Sequence, residues 1–363
     1  MSAWRIGTIG LPVPLGIGTL QWGSTWVDGK MVKGGRITDD TIDDLVRELR
    51  AGGVTFFDSA EGYGGGTSEE RLAAAVAHST SDKQLSSSSS ASLPFGCALA
   101  TKFLPTWWRC TRAALVRAAA RSARIMKVER IPIYFIHTPI HWLPIEFWIE
   151  AACDARDAGY IENIGVSNFN ADQLLRAQAV ATRRGYSIAA NQVMFGLLNY
   201  KNETLSKTIQ TCRELGITVV AFSPIGQGLL TDKLETSKVK ENRVARMTGL
   251  LPSRLDNLRE VVRSVAEETG RSMAQVAINW VICHDCIPLV GCRSVSQAKD
   301  TLGSVGWKLS DDQVKRLDDA ALSHSTLDGK RWKRVFFANL FGVVMMCCRF
   351  LRWCGGPGYA KSS

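Results

Sequence analysis

Val54-Thr55-Phe56-Phe57-Asp58 is a short run of β-branched and aromatic residues ending on a carboxylate, with Tyr63 five residues on in the glycine-rich stretch Gly62-Tyr63-Gly64-Gly65-Gly66. Thr67 and Glu70 then have the spacing of a helix capping box. An apolar strand without strict alternation, followed by a turn and a helix, is the unit of a parallel sheet covered on both faces. Working outward, comparable runs occur at Ile17-Gly18-Thr19, Ala98 to Lys102, Ile133 to His137, Ile164-Gly165-Val166, Ile188 to Gln192, Thr218 to Ser223 and Ile287 to Val290. Between them, Ile42, Leu45, Val46 and Leu49 form the i, i+3, i+4, i+7 stripe of a helix, and helices are predicted at about 145–158, 171–183, 203–215, 257–269 and 272–283. Eight strands alternating with helices predict a (β/α)8 TIM barrel over residues 1–325. A doubly wound sheet should carry GxGxxG after its first strand, and Gln21-Trp22-Gly23 stands there instead.

Two segments break the rhythm. Ser79 to Ser92 holds five consecutive serines and lacks apolar residues to pack, so it reads as a solvated loop inserted after the second helix. Gly226 to Asp256 is longer than an ordinary barrel loop and holds Lys233, Lys238, Lys240, Arg243 and Arg246, which suggests a functional loop on the catalytic face.

Composition narrows the function classes. With 363 residues, 45% apolar and 21% charged, the chain is long enough to bury a large core and is neither disordered, collagen-like nor a multi-pass membrane protein. The net charge of +10 suggests nucleic acid, but Lys330, Arg331, Lys333, Arg334, Arg349, Arg352 and Lys361 all follow the last acidic residue, Asp328. Removing those seven leaves +3 on the body, without the basic run interleaved with aromatics that a phosphate groove needs, so no nucleic-acid partner is expected. Ten scattered cysteines do not form a disulfide framework, and a reducing compartment fits them. Cys283 and Cys286 make a single CxxC without a second ligand pair, so no metal is expected. Pro12, Pro14 and several glycines interrupt the uncharged N-terminal stretch and exclude a signal-peptide core.

In such a barrel the strands converge at their C-terminal ends on one pocket. Asp58, Lys102 and His137 close neighbouring strands, and Tyr63 follows the first of them. Each residue alone could merely finish a strand. Together, a phenol, an ammonium, a carboxylate and an imidazole suit proton delivery to an oxygen: Lys102 would stabilise the Tyr63 phenolate and lower its pKa, Asp58 would keep Lys102 charged, and His137 would orient the substrate oxygen. None of these groups can be the reductant, so a hydride-carrying cofactor is implied.

Asp58-Ser-Ala-Glu-Gly-Tyr63-Gly, Ala100-Thr-Lys102, Ile136-His137, Ile164-Gly-Val-Ser167-Asn168-Phe169, Asn191-Gln192-Val and Phe222-Ser223-Pro224-Ile-Gly-Gln-Gly-Leu-Leu230 resemble the aldo-keto reductases from about Ile6 to Asp319, most of all the bacterial and plant branch. The resemblance implies an NADPH-binding barrel that reduces aldehydes or ketones, with Asp58, Tyr63, Lys102 and His137 as a catalytic tetrad and Tyr63 as proton donor. It places Ser167, Asn168 and Gln192 on the nicotinamide carboxamide and Phe222 against the ring. Ser223, Pro224, Ile225, Gly226, Gln227, Gly228 and Leu229 match the loop over the pyrophosphate. Arg293, Ser294, Gln297, Asp300 and Thr301 match the segment that reads the adenosine 2′-phosphate, with Gln297 and Thr301 departing from the usual arginine and asparagine. Trp22, Trp107, Trp108 and Trp142 follow the first, third and fourth strands and are expected to wall a pocket for aromatic or apolar carbonyl substrates.

The resemblance does not cover residues 326–363, where Lys330-Arg-Trp-Lys-Arg334 precedes an apolar run from Val335 to Cys348. Fourteen uncharged residues are short of the roughly 20 that span a bilayer. Two readings stay open, a cytoplasmic enzyme held at a membrane surface through this tail, acylated at Cys347 or Cys348, and a C-terminal helix packed on the barrel or over its pocket. The barrel also resembles the cytoplasmic β subunits of potassium channels, which implies a non-enzymatic, cofactor-sensing alternative.

Overall fold

The structure, a computed structural model, describes residues 4–23, 25–27, 30–32, 37–80, 93–234 and 252–322. The serine run at 81–92, Lys238, Lys240, Arg243, Arg246 and the tail at 326–363 lie outside them. An antiparallel hairpin of β1 (Trp4–Ile6) and β2 (Ile9–Leu11) precedes β3 (Gly16–Gly18), and a second hairpin pairs β4 (Thr25–Val27) with β5 (Lys30–Val32). The chain continues through α1 (Asp39–Ala51), β6 (Phe56–Asp58), α2 (Ser68–Thr80), β7 (Ala98–Phe103), α3 (Arg112–Ile125), β8 (Ile131–Ile136), α4 (Ile145–Asp157) and β9 (Ile161–Ser167). It completes with α5 (Ala171–Arg183), β10 (Ile188–Met194), α6 (Glu203–Glu214), β11 (Thr218–Phe222), α7 (Pro252–Thr269), α8 (Met273–Cys283), β12 (Ile287–Val290), α9 (Val295–Leu302) and α10 (Asp311–Ala320).

The parallel strands β3, β6, β7, β8, β9, β10, β11 and β12 pair in that order, and β12 returns to β3 to close a barrel. This is the (β/α)8 fold the alternating runs predict. Two boundaries move. Ser79 and Thr80 belong to α2, where the buried Ser79 hydroxyl accepts from Arg50 (2.6 Å) and donates to Val76 O (2.6 Å), so the helix extends into the expected serine loop. The long loop after β11 ends earlier than expected, because α7 begins at Pro252.

The barrel interior is filled by Phe56, Ala98, Ala100, Ile133, Phe135, Ala190, Val220, Ile287 and Leu289. Ile6, Ile9 and Leu11 of the first hairpin join this cluster, and Thr8 at its tip accepts from and donates to Asn163 near the start of β9. The hairpin thus plugs the N-terminal end and leaves the other end for chemistry. Size alternates inside: a Cβ on Gly16 would stand 2.4 Å from the Phe56 ring, and one on Gly165 2.4 Å from the Phe135 ring. Enclosed rings have nowhere to retreat. Gly165→Ala is therefore expected to lower the unfolding free energy by about 1–3 kcal/mol, read from urea titrations monitored by circular dichroism.

Candidate active site

Asp58 is the last residue of β6, and Lys102 lies near the end of the adjacent β7; Asp58 pairs in register with Ala100, two residues before Lys102. Both side chains point to the barrel mouth and are fully buried. Lys102 Nζ donates to Asp58 Oδ2 and to Ser59 O at 2.6 Å, and Gln192 Nε2, from β10 on the far side, donates to Asp58 Oδ1 at 3.1 Å. Burial raises the Asp58 carboxyl against the opposing pull of Lys102. Burial alone would also strip the Lys102 proton, but Asp58 and Tyr63 outweigh it and hold the ammonium above its usual range. A carboxyl that accepts from two donors while its partner keeps its proton is the ionised form.

Tyr63 sits in the turn after β6, with Lys102 Nζ 4.8 Å from its ring centroid and the His137 ring edge-on at 5.7 Å. His137 is the first residue past β8, its backbone N–H donating to Phe103 O at 2.9 Å. Both rings remain partly exposed at the mouth. Tyr63 departs from the sequence expectation. Burial raises its pKa more than Lys102 lowers it, and Asp58 adds to the rise, so the group is held as a neutral phenol. Burial, aided by the Lys102 charge, lowers His137 to about 3. The mouth therefore offers one cation, one protonated phenol and one neutral imidazole.

The cofactor candidates ring this group. Ser167 Oγ donates to Gln192 O at 2.9 Å and accepts from Asn168 Nδ2 at 3.0 Å, while Asn168 itself takes a left-handed φ of 62°. Phe222 ends β11 with a partly exposed ring at the top of the interior cluster. Ser223, Gly226, Gln227 and Gly228 all have positive φ, and nothing lies within 4 Å of a Cβ placed on Gly228, so open space adjoins the loop there. Pro224, Gly226 and Leu229 are buried and Ile225 half-buried, which makes them supports of that loop. Arg293 is exposed beside Ser294, which caps the N-terminus of α9 by accepting from Gln297 N at 3.3 Å. An arginine at a helix N-terminus suits a phosphate.

Three residues of this segment also make contacts within the protein. Gln297 Oε1 accepts from Arg293 N at 2.8 Å, Asp300 Oδ1 accepts from Ser272 Oγ (2.8 Å) and Gln275 Nε2 (3.0 Å), and the buried Thr301 hydroxyl meets Cys292 Sγ at 3.5 Å. They hold the segment's shape. Trp22 is corrected: its indole is fully buried in the outer core, because its N–H finds an acceptor in Cys292 O at 2.9 Å. Trp107 and Trp142, 69% and 66% exposed, stand in the open with the less exposed Trp108, and Trp142 Nε1 donates to Trp107 O at 3.1 Å. Among the described residues no cluster of three or more histidines, cysteines or carboxylates could hold a metal ion, and no helix is long and apolar enough to cross a membrane.

Residues 14–322 match the model of the aldo/keto reductase family. The chain belongs to the aldo/keto reductase family. It is 31% identical to the chloroplastic pyridoxal reductase of Arabidopsis thaliana over 318 residues, 85% of this chain and 83% of that one. It is 30% identical to an uncharacterized oxidoreductase of Mycobacterium tuberculosis over 88% of this chain and 93% of that one. In fold it is similar to a glycerol dehydrogenase from Gluconobacter oxydans, with a TM-score of 0.71 at 23% identity over 89% and 95% of the two chains. A thermostable aldo-keto reductase solved with the inhibitor epalrestat gives 0.66 at 22% over 88% and 100%.

Two features of this aldo/keto reductase carried no local signal in the sequence. A Cβ on Gly23 would stand 2.2 Å from Gly64 Cα, so the loop after β3 presses backbone to backbone on the Tyr63 turn. Glu61 and Arg109 form an ion pair at 2.5 Å across 48 residues. The depressed His137 gives a stability signature. In the unfolded chain its imidazole takes a proton near 6.5, in the folded chain only near 3. Between those values the unfolded state holds more protons, so the unfolding free energy should fall as pH drops from about 6.5 towards 3 and gain no further loss from this group below that. His137→Gln should flatten part of that slope in urea unfolding compared at about pH 4.5 and 7.5.

Proposed function

We propose that this chain reduces aldehydes and ketones to alcohols with NADPH, Tyr63 donating the proton to the carbonyl oxygen. The observation that carries the reading is the grouping at the barrel mouth of a neutral Tyr63 phenol, the Lys102 ammonium 4.8 Å from its ring, and a His137 imidazole held neutral. When bound, NADPH supplies the hydride, which none of these side chains can provide. Tyr63 holds a proton it can give to a developing alkoxide, and the Lys102 ammonium lies beside the phenolate it would become. Lys102 keeps its own proton through Asp58 and so stabilises without donating. His137, neutral, can hydrogen-bond the carbonyl oxygen without repelling the ammonium. Ser167, Asn168 and Gln192 would hold a carboxamide and Phe222 an aromatic ring, and Arg293 with the α9 N-terminus favours a cofactor carrying a 2′-phosphate.

Trp107, Trp108 and Trp142 favour flat aromatic carbonyls. The plant relative is named a pyridoxal reductase, so pyridoxal belongs in the first panel beside benzaldehydes and small aliphatic aldehydes. The test follows NADPH oxidation at 340 nm. Tyr63→Phe should lose about 10²–10⁴ in kcat while NADPH still quenches the protein's fluorescence. A wild-type chain that binds NADPH but reduces nothing across the panel overturns the reading. Arg293→Leu should raise KM for NADPH about tenfold and leave KM for NADH unchanged, since a hydrogen bond to a charged group contributes about 1.5–3 kcal/mol.

A further inference from the structure

An ion pair ties the Tyr63 turn to the aromatic wall. Glu61, two residues before Tyr63, accepts at Oε1 from Leu104 N (2.7 Å) and Arg109 Nη1 (2.5 Å), and at Oε2 from Arg109 Nη2 (3.1 Å). Arg109 Nη1 also donates to Leu104 O at 3.0 Å, and the guanidinium lies 4.6 Å from the centroid of the Phe103 ring. Glu61 N donates to Lys102 O at 3.3 Å. Glu61 is thus bonded to the backbone on both sides of Phe103, immediately after the residue that activates Tyr63. Arg109 closes the turn that carries Trp107 and Trp108, its own N–H donating to Thr106 O at 2.8 Å. The next loop is attached in turn: Trp142 Nε1 donates to Trp107 O, and His141, whose Nδ1 accepts from Leu143 N at 2.9 Å, presents Nε2 to Thr106 O at 3.1 Å. Both members of the ion pair are partly buried, with side-chain exposures of 25% and 14% for Arg109 and Glu61, and the contact is bidentate, the geometry in which such pairs hold a fixed orientation.

We infer that Glu61 and Arg109 are positioning residues that join the proton-donor turn to the aromatic wall, so that the seat of a flat aromatic substrate and the placement of the Tyr63 hydroxyl are set together. The inference rests on the carbonyl-reductase reading for its substrates, but the coupling itself is testable without turnover. Breaking the pair frees two things at once. The Glu61 carboxylate loses the bidentate partner that fixes its orientation at the base of the Tyr63 turn, which acts on kcat for every substrate, while the wall loses its anchor to the turn, which acts on KM only for substrates large enough to touch it.

The experiment compares wild type, Arg109→Leu, Arg109→Lys and Glu61→Gln as NADPH-loaded full-length chains, using propanal and 2-naphthaldehyde. Arg109→Leu is expected to lower kcat about tenfold to a hundredfold with both aldehydes and to raise KM about tenfold with 2-naphthaldehyde alone. Arg109→Lys, which keeps the charge without the fork, should fall between. Hydrogen exchange read by mass spectrometry should quicken at least about fivefold over 59–66 and 104–110 in Arg109→Leu, with β10 unchanged. Glu61→Gln keeps the side-chain size and the acceptor for Leu104 N, and gives the same pattern more weakly should the leucine variant fold poorly. Unchanged exchange over 59–66, or a loss shared equally by both aldehydes with no KM split, overturns the inference. A wild type without turnover removes the carbonyl-reductase reading, and the exchange arm then decides the coupling by itself.

Discussion

The buried pair of Asp58 and Lys102 is the constraint on which the rest of the site depends. Taking two charges out of water costs several kcal/mol each, and the cost is offset only where geometry is fixed and the remaining hydrogen-bond positions are filled. Here the filling comes from two directions. Ser59 O takes a second Lys102 hydrogen from the adjoining turn, and Gln192 reaches the free carboxylate oxygen from β10, which is not a neighbour of β6. Only a closed sheet brings residues 134 apart in sequence to one carboxylate across its mouth. Closure, the interior layer of alternating glycine and phenylalanine, and the hairpin plug below are therefore conditions for the charge pair as much as for the fold.

The same pair decides where the mobile proton resides. An ammonium beside a phenol would ordinarily pull its pKa down, which is the expectation from the residues alone. In the structure Asp58 already balances Lys102, and its own charge opposes ionisation of Tyr63. What remains is the loss of solvent, which favours the neutral phenol and, aided by the Lys102 charge, the neutral His137 imidazole. An acid that is strong only once charge develops on the substrate oxygen is what carbonyl reduction asks for, because premature ionisation would leave nothing to donate.

The eight barrel strands were legible because each is a compact apolar run, whereas the two N-terminal hairpins, of three-residue strands, were not singled out. Helices were legible where an apolar stripe contrasts with charge, as in α1, whose Ile42, Leu45, Val46 and Leu49 are all buried. Helix α3 was not. It buries Leu115, Ala118, Ala119, Ser122 and Ala123, a face of mostly small residues with one large apolar side chain, opposite the exposed Arg117, Arg121 and Arg124. Helix α10 buries only Leu317 among the residues of its own turns, so it has no stripe to read. At the site, the tetrad residues that end strands were visible as polar interruptions of apolar runs. Trp22 was read as a pocket wall and is buried, because a side chain's direction off a loop is set by which buried acceptor it must satisfy, and Cys292 is distant in sequence.

That limit bears on how Tyr63 is held. Tyr63 does not lie on a strand; it sits on a turn whose following residues, Gly64 to Gly66, have φ of 59°, 68° and 91°, a backbone with little intrinsic preference for one position. Its placement must come from outside the turn. On one side the loop after β3 presses Gly23 against Gly64 so closely that no side chain fits between them, and Arg71 donates to Trp22 O and Ile37 O to keep that loop in place. On the other, Glu61 grips the end of the Lys102 strand. The Tyr63 hydroxyl, on a pliable turn, is thus held by two neighbouring loops, and one of those loops also carries Trp107 and Trp108. The Tyr63 turn and the turn of Trp107 and Trp108 share the Glu61–Arg109 contact, so in the proposed reduction substrate fit and proton placement would be set together by residues that touch neither reacting atom.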